Sequence, residues 1–307
     1  MIVCCGEALI DMLPRKSVTG EDAFAPYAGG AVFNTAVALG RLGIATGFFT
    51  GLSSDMFGDV LRATLDSSHV DHRHCATLDR PTTLAFVKLT KGHASYAFFD
   101  ENTAGRMITE ADLPTFGADV KALHFGAISL IPEPCGATYE ALMKREAARR
   151  VISLDPNIRP GFIPDRQAHL ERMNRMIAMS DIVKLSDEDL AWFGFDTPEA
   201  AAAQWLKIGP SLVVVTKGAE GAVGLSIRHR VSMPGNPVDV ADTVGAGDTF
   251  NAGILASLKR SSLLTKSSIA ELGEQAIADA LALGAKAASV TVSRPGANPP
   301  WAHEIGF

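Results

Sequence analysis

The sequence predicts an α/β protein, with a mostly parallel central sheet carrying helices on both faces and a small β lid. Two patterns carry that expectation. Short β-branched runs alternate with alanine- and leucine-rich helical stretches, and one pair of alternating segments around Lys91-Gly92 interrupts the rhythm. Strand–helix alternation is what crossovers above and below a parallel sheet require. Ile2 to Cys5 reads as a first buried strand, and Asn34 to Leu42 as a helix with Phe33, Val37 and Leu42 among its apolar positions. Thr46 to Leu52 reads as a strand. Ala122 to Phe125, Val151 to Leu154, Ile182 to Leu185 and Leu212 to Thr216 are further short apolar strands, separated by helical sequence such as Tyr139 to Arg149 and His169 to Met179. Thr82 to Leu89 and Ser95 to Phe99 flank a polar glycine turn and read as a hairpin, with Tyr96, Phe98 and Phe99 as its aromatics. With Phe24 to Tyr27 it forms a lid, built from about residues 12–28 and 80–101 of a single domain spanning 1–307.

Composition removes several function classes. Of 307 residues, 47% are hydrophobic and 20% charged, enough for a large core. The net charge is −6 and there is no lysine- or arginine-rich run, so nucleic acid is not an expected partner. Arg149 and Arg150 read as the solvated end of a helix. No segment approaches the ~20 apolar residues of a membrane span. The N-terminus carries neither a basic region nor a cleavage pattern, so the expected location is cytoplasmic. Cys4, Cys5, Cys75 and Cys135 form no C-x-x-C pair, and His72, His74 and Cys75 lack further ligands at a metal-binding spacing.

The strongest chemical signal is Asp242-Thr243-Val244-Gly245-Ala246-Gly247-Asp248-Thr249-Phe250, between a strand-like stretch, Pro237 to Val240, and a helix, Phe250 to Leu258. Small residues Gly245, Ala246 and Gly247 let the backbone approach a ligand closely. The unpaired amides and positive end of a helix start suit a phosphate oxyanion. Asp248 beside that anion can accept the proton of a substrate hydroxyl during phosphoryl transfer, and the helix dipole is expected to keep it ionised. The same string, taken alone, serves equally as a capped helix start with glycines for a tight turn. Neither G-x-x-x-x-G-K-[ST] nor an early G-x-G-x-x-G is present, which disfavours a P-loop ATPase and a nicotinamide dehydrogenase.

A second glycine cluster, Gly29-Gly30-Ala31-Val32-Phe33-Asn34, also precedes a helix, and Gly6-Glu7-Ala8-Leu9-Ile10-Asp11 sets a carboxylate just past the first strand. Asp11 and Asn34 supply the acceptors and donors that a polyol pocket needs. Asp242 to Leu255 resembles the C-terminal signature of the PfkB (ribokinase-like) carbohydrate kinases and Gly29 to Gly43 resembles their N-terminal signature, with Gly6 to Asp11 in the family's order before them. Asp155-Pro156-Asn157-Ile158-Arg159-Pro160, Lys184-Leu185-Ser186-Asp187-Glu188 and Thr216-Lys217-Gly218-Ala219-Glu220-Gly221 follow in the family's order. Within the family the nearest likeness is to bacterial fructokinases.

The resemblance implies a ribokinase-like fold and an ATP-dependent sugar kinase with fructose as acceptor. 2-Keto-3-deoxygluconate and ribose or a nucleoside are the competing acceptors, and a non-catalytic sugar or nucleotide binder is the alternative of another class. By the same resemblance, Asp248 is the base and Gly245, Ala246 and Gly247 the anion hole. Asp11, Gly30 and Asn34 hold the sugar. Asn157 and Arg159 lie near the phosphates and the acceptor, and Arg106 reaches towards the sugar. Lys184, Ser186, Thr216, Gly218 and Gly221, with Gly247, surround the nucleotide. Where many relatives carry Asn-x-x-Glu, this chain has Ser186-Asp187-Glu188-Asp189, which assigns Asp189 and Glu188 to Mg²⁺ through water. A monovalent cation such as K⁺ is expected at loop carbonyls near Asp242 and Arg294-Pro295-Gly296, and pairing of two lids in a homodimer is expected.

Overall fold

The structure, a computed structural model, describes residues 1–90 and 93–307. In chain order the strands are β1 (Ile2–Cys5), β2 (Leu9–Lys16), β3 (Asp22–Gly29), β4 (Thr46–Phe49), β5 (Gly51–Ser53), β6 (Val70–Asp71), β7 (Ala76–Leu78), β8 (Leu84–Thr90), β9 (His93–Phe99), β10 (Ala122–Gly126), β11 (Val151–Asp155), β12 (Ile182–Ser186), β13 (Leu212–Thr216), β14 (Ala222–Leu225) and β15 (Arg230–Met233). The α-helices are α1 (Ala31–Arg41), α2 (Met56–Ser67), α3 (Cys135–Glu146), α4 (Arg166–Met179), α5 (Asp187–Trp192), α6 (Pro198–Trp205), α7 (Ala246–Arg260), α8 (Lys266–Ala270) and α9 (Glu274–Val292).

The main sheet has nine strands in the order β15-β14-β13-β12-β11-β10-β1-β4-β6. It is parallel from β13 to β6 and closes with two antiparallel pairs, β13–β14 and β14–β15. Alternate side chains of each strand enter opposite cores, as the two-residue repeat of a strand dictates. Ile2 and Cys4 join the layer of α1, α7 and α9, whereas Val3 and Cys5 join that of α3, α4 and α6. Leu212 and Val214 divide from Val213 and Val215 in the same way.

The lid is a second sheet, β3-β2-β8-β9. β8 and β9 pair antiparallel, as the hairpin pattern predicts, and the Lys91-Gly92 turn itself lies outside the described residues. Phe86 makes edge contacts with Phe24 at 5.1 Å and with Phe99 at 5.5 Å between ring centroids. Phe98 meets Phe162, in the turn after Arg159, at 4.5 Å.

Four readings of the sequence need correction. Thr46 to Leu52 is broken at Thr50, and its halves join different sheets. Pro237 to Val240 is not a strand, because Pro234 and Pro237 lack the amide donors a ladder needs. The next residues instead hang from the end of α9, with the Ala241 and Asp242 amides donating to the Val292 carbonyl. The helix that follows the Asp242–Asp248 motif starts at Ala246 rather than Phe250, since Gly245 takes the left-handed conformation (φ 78°) at its cap. Arg150 is buried: it donates to Glu146 and to the carbonyls of Phe116, Gly117 and Val120 in the segment that leads into β10, so its charge is met inside the protein.

Candidate active site

The polar residues of the motifs gather where the parallel strands end, the usual position of a site in an open α/β sheet. Asp248 is the third residue of α7 and is buried. Its Oδ2 accepts a hydrogen bond from Asn34 Nδ2 at 2.9 Å, and its main-chain carbonyl accepts one from Thr35 Oγ1 at 3.2 Å. The α1 helix thus grips the first turn of α7. On the other side, Thr291 Oγ1 of α9 donates to Thr249 Oγ1 at 3.0 Å. Burial pushes the Asp248 carboxyl up to about 7, against the Asn34 hydrogen bond, which lowers it. Desolvation thus opposes the ionised form that the helix start favours, and it is the largest effect on this carboxyl.

Gly245 must be glycine for two reasons. Its φ is left-handed, and a Cβ there would stand 2.8 Å from that of Ala297. A Cβ on Gly247 would stand 3.0 Å from Lys184 Nζ, so a buried ammonium lies against the backbone of the anion site.

At the start of α1, Gly30 is the cap, with φ 109°, and a Cβ there would stand 2.9 Å from the Glu7 carbonyl. Asp11 lies on β2 opposite this hinge, and a Cβ on neighbouring Gly29 would sit 2.3 Å from its Oδ2. Burial raises the Asp11 carboxyl to about 6. Glu7 accepts from the Ala31 amide at 2.8 Å, the Val32 amide at 3.3 Å and the Ser129 amide at 3.3 Å, and burial raises it to about 7. Its role as the cap of α1 was not legible in the motif, where it stands merely between a glycine and an alanine.

After β11, Asn157 takes a left-handed φ of 40°, with its amide donating to Asp155 Oδ1 at 3.1 Å. Arg159 is exposed, and its Nη1 donates to the Ile158 carbonyl at 3.0 Å. Arg106 is turned to other partners, donating from Nε to the Glu133 carbonyl at 3.2 Å and standing 3.9 Å from Asp100. Thr216 ends β13, and Gly218 (φ 52°) and Gly221 (φ 101°) shape the loop after it; a Cβ on Gly221 would sit 2.0 Å from the Met233 carbonyl. Two residues that sequence reasoning did not single out join the site. Asp155 pairs with Lys184, and Asn251 of α7 donates to Asp155. A signal for Asn251 was available in its place one turn after Asp248.

Ser186 and Asp189 form a capping box at the start of α5. Ser186 Oγ accepts from the Asp189 amide at 3.1 Å, and Asp189 Oδ2 accepts from the Ser186 amide at 2.9 Å. Asp189 Oδ1 accepts from the Ile158 amide at 2.7 Å, tying this turn to the segment of Asn157 and Arg159. Both oxygens of Asp189 thus serve backbone amides inside the protein, so it does not fit a primary metal ligand, while Glu188 is exposed. Among the described residues no group of three or more His, Cys, Asp or Glu is placed to hold a metal ion. His72 pairs with Asp66 at 3.0 Å, His74 lies edge-on to Phe116, and Cys75 Sγ donates to the Phe48 carbonyl. At the proposed monovalent-cation loops, Asp242 accepts from the Val244 amide at 3.0 Å and the Gly296 amide at 2.9 Å, which holds the two loops together.

A glycine-lined helix start beside a buried carboxylate and a buried ammonium, facing a polar pocket under a β lid, defines a small-molecule phosphotransferase. The pattern of the pfkB family carbohydrate kinases matches residues 1–304, and the chain belongs to that family. It is 66% identical over 278 residues to a fructokinase of Rhizobium leguminosarum bv. trifolii, covering 90% of this chain and 85% of that protein. Among solved structures, the fructokinase of Xylella fastidiosa with bound ATP superposes with a TM-score of 0.90 at 29% identity, over 99% of this chain and 96% of the other. A fructokinase double mutant of Vibrio cholerae O395, bound to fructose, ADP and potassium ion, superposes with a TM-score of 0.83 at 25% identity, over 96% and 93% of the two chains. The fold is thus ribokinase-like, as the sequence implied.

Proposed function

We propose that the protein is an ATP-dependent fructokinase, forming ADP and D-fructose 6-phosphate from ATP and D-fructose, with residues 1–307 acting as one kinase domain under the lid. The observation that carries the mechanism is Asp248, buried in the first turn of α7 and aimed by Asn34. In its ionised form it accepts the proton of the sugar's primary hydroxyl while that oxygen bonds to the γ-phosphorus and the bond to the β-phosphate oxygen breaks. The amides at Gly245, Ala246 and Gly247, with the Lys184 ammonium beside them, stabilise the charge on the transferred group. Asp11, Gly30 and Asn34 orient the sugar. Ser186, Thr216, Gly218 and Gly221 line the nucleotide side, with Asn157 and Arg159 near the phosphates. Arg106, bonded to Glu133, is the weakest of the sugar contacts and would have to swing free.

The relative at 66% identity is named a fructokinase, and the Xylella and Vibrio structures hold ATP, or fructose with ADP and potassium ion. These support ATP as donor, fructose as acceptor and a monovalent cation such as K⁺, for which the Asp242 and Gly296 loops are the place we propose. Mg²⁺ would enter with the nucleotide, held chiefly by phosphates and water, with Glu188 the exposed carboxylate of that turn. Phe24, Tyr27 and Phe99 stand 48%, 46% and 59% exposed on the lid, which supports a homodimer formed through it. Among the described residues no helix is long and apolar enough to cross a membrane. Dependence on ATP fits the cytoplasm.

The test is an acceptor panel with ATP and Mg²⁺: fructose, 2-keto-3-deoxygluconate, ribose, glucose and adenosine. Fructose is expected to give the highest kcat/KM. A clear preference for another sugar would replace fructose as acceptor, and no turnover with any would overturn the kinase reading.

A further inference from the structure

We propose that Asp155 is a positioning residue for phosphoryl transfer: one buried carboxylate at the end of β11 fixes the Lys184 ammonium and, through Asn251, the helix that presents Asp248. The inference rests on the kinase reading above and adds residues to it that touch neither sugar nor nucleotide in that reading.

Three elements converge on this carboxylate. Asp155 Oδ2 accepts from Lys184 Nζ of β12 at 3.1 Å and from Asn251 Nδ2 of α7 at 2.6 Å. Its Oδ1 accepts from the Asn157 amide, where the backbone turns left-handed at φ 40°. Asp155 and Lys184 are each 4% exposed. Asn251 lies three residues after Asp248 and so on the same face of α7. Its bond therefore sets the rotation of the helix about its axis, and with it the direction of the Asp248 carboxylate. Asn34 and Thr35 hold the same turn from the opposite side.

A buried ion pair is poor value as a fold stabiliser, because desolvating two charges offsets most of their attraction. Its place here gives it other work. The ammonium lies against Gly247, where the anion site forms, and Asp155 lines one small cavity with Asp248, Thr35, His124 and Asn157. The Lys184 charge acts on Asp248 and on Asp189 as well as on Asp155. Without Asp155, the ammonium is left to those two carboxylates, and pairing with Asp248 would occupy the base. The groups facing Asp248 are Asn34 and Lys184, which favour its ionised form, and Asp155 and Glu7, which oppose it. His124, on the same cavity, is neutral at pH 7, since burial lowers it to about 4; its Nδ1 lies 3.1 Å from Ser153 Oγ.

The experiment is a double-mutant cycle on the full chain with Asp155→Asn, Asn251→Ala and the pair. Each single change is expected to lower kcat about 10- to 100-fold, with far smaller changes in either KM, as displacement of a reacting group does. The double variant should lose little beyond the worse single one, because both cut one tether. Losses that multiply, or that fall on KM with kcat intact, would overturn the proposal. Asn251→Ala leaves the ion pair in place, so an unchanged kcat in that variant alone would also refute it, even should Asp155→Asn fold poorly. A second readout needs no substrate: in ¹³C-carboxyl NMR, Asp248 should titrate at lower pH in Asp155→Asn than in the wild type, and an unmoved titration counts against the link. If the wild type ignores fructose but turns over another sugar of the panel, the fructose reading fails. The same cycle run on that sugar then still decides the role of Asp155.

Discussion

The α7 end of the site is buried and bonded to protein on several sides, whereas the lid end stands half in water. Asp248 is held by α1, its neighbour Thr249 by α9 and its helix face by Asp155, all through side chains that are themselves buried. Across the pocket, Asp11 lies on a strand that ends in the exposed Arg15 and Lys16, and Phe24, Tyr27 and Phe99 of the lid stand in water. The contrast shows where preorganisation has been placed. The groups that stabilise charge in the transition state are fixed before substrate arrives. Of the groups proposed to hold the sugar, Asp11 sits on the lid sheet, whereas Gly30 and Asn34 belong to the start of α1. Phe98 against Phe162 ties the lid to the turn that follows Arg159.

Breaking the fixed end should cost most. Asp248→Asn preserves shape and the Asn34 neighbourhood but removes the base, so kcat should fall by ~10²–10⁴-fold while nucleotide affinity, measured calorimetrically, stays near wild type. Turnover close to wild type in that variant would remove Asp248 from the base role. Next in size is Asp11→Ala, which takes a charged acceptor from the sugar and should raise the KM for fructose by roughly 10- to 100-fold, with a smaller change in the KM for ATP. Equal effects on both would mean that Asp11 supports the fold rather than the sugar. At the lid, Phe24→Ser with Phe99→Ser should shift sedimentation from dimer to monomer and raise the KM for fructose a few-fold; an unchanged sedimentation coefficient would detach the lid from assembly.

The smallest effect concerns stability and sharpens the same contrast. Burial raises the Asp248 carboxyl from 3.8 to about 7, so the folded state favours its protonated form. That contribution to stability is complete below about pH 4 and is lost as pH rises through about 7. Above pH 7 the fold therefore carries a buried charge that Asn lacks. Asp248→Asn should raise Tm more at pH 8 than at pH 5, and an equal change at both would mean that the carboxyl titrates near its ordinary value.

Much of this was legible in the sequence because it depends on local chemistry. Strand periodicity located the sheet, and the glycines located two helix starts. The hidden parts depend on partners distant in the chain. Nothing local marks Arg150 as buried, since its place depends on carbonyls more than 30 residues earlier. Nor does Ser186-Asp187-Glu188-Asp189 announce whether Asp189 serves a metal or a helix cap; that follows from the Ile158 amide 31 residues away. Pro237 to Val240 misleads for the opposite reason: its valines alternate like a strand, but Pro234 and Pro237 take away the amide donors a ladder needs. The raised Asp248 carboxyl was missed because helix-start chemistry is visible in sequence, and the depth of burial is not.

The central claim is that a buried Asp248 deprotonates the acceptor hydroxyl, and the pH dependence of kcat/KM for fructose in the wild type tests it most directly. Because the ionised carboxylate is the active form and titrates at about 7, kcat/KM should be level above pH 8 and fall about tenfold per unit below pH 6. The same limb should vanish in the residual activity of Asp248→Asn. A wild-type profile that stays flat from pH 5 to pH 8 would contradict the account.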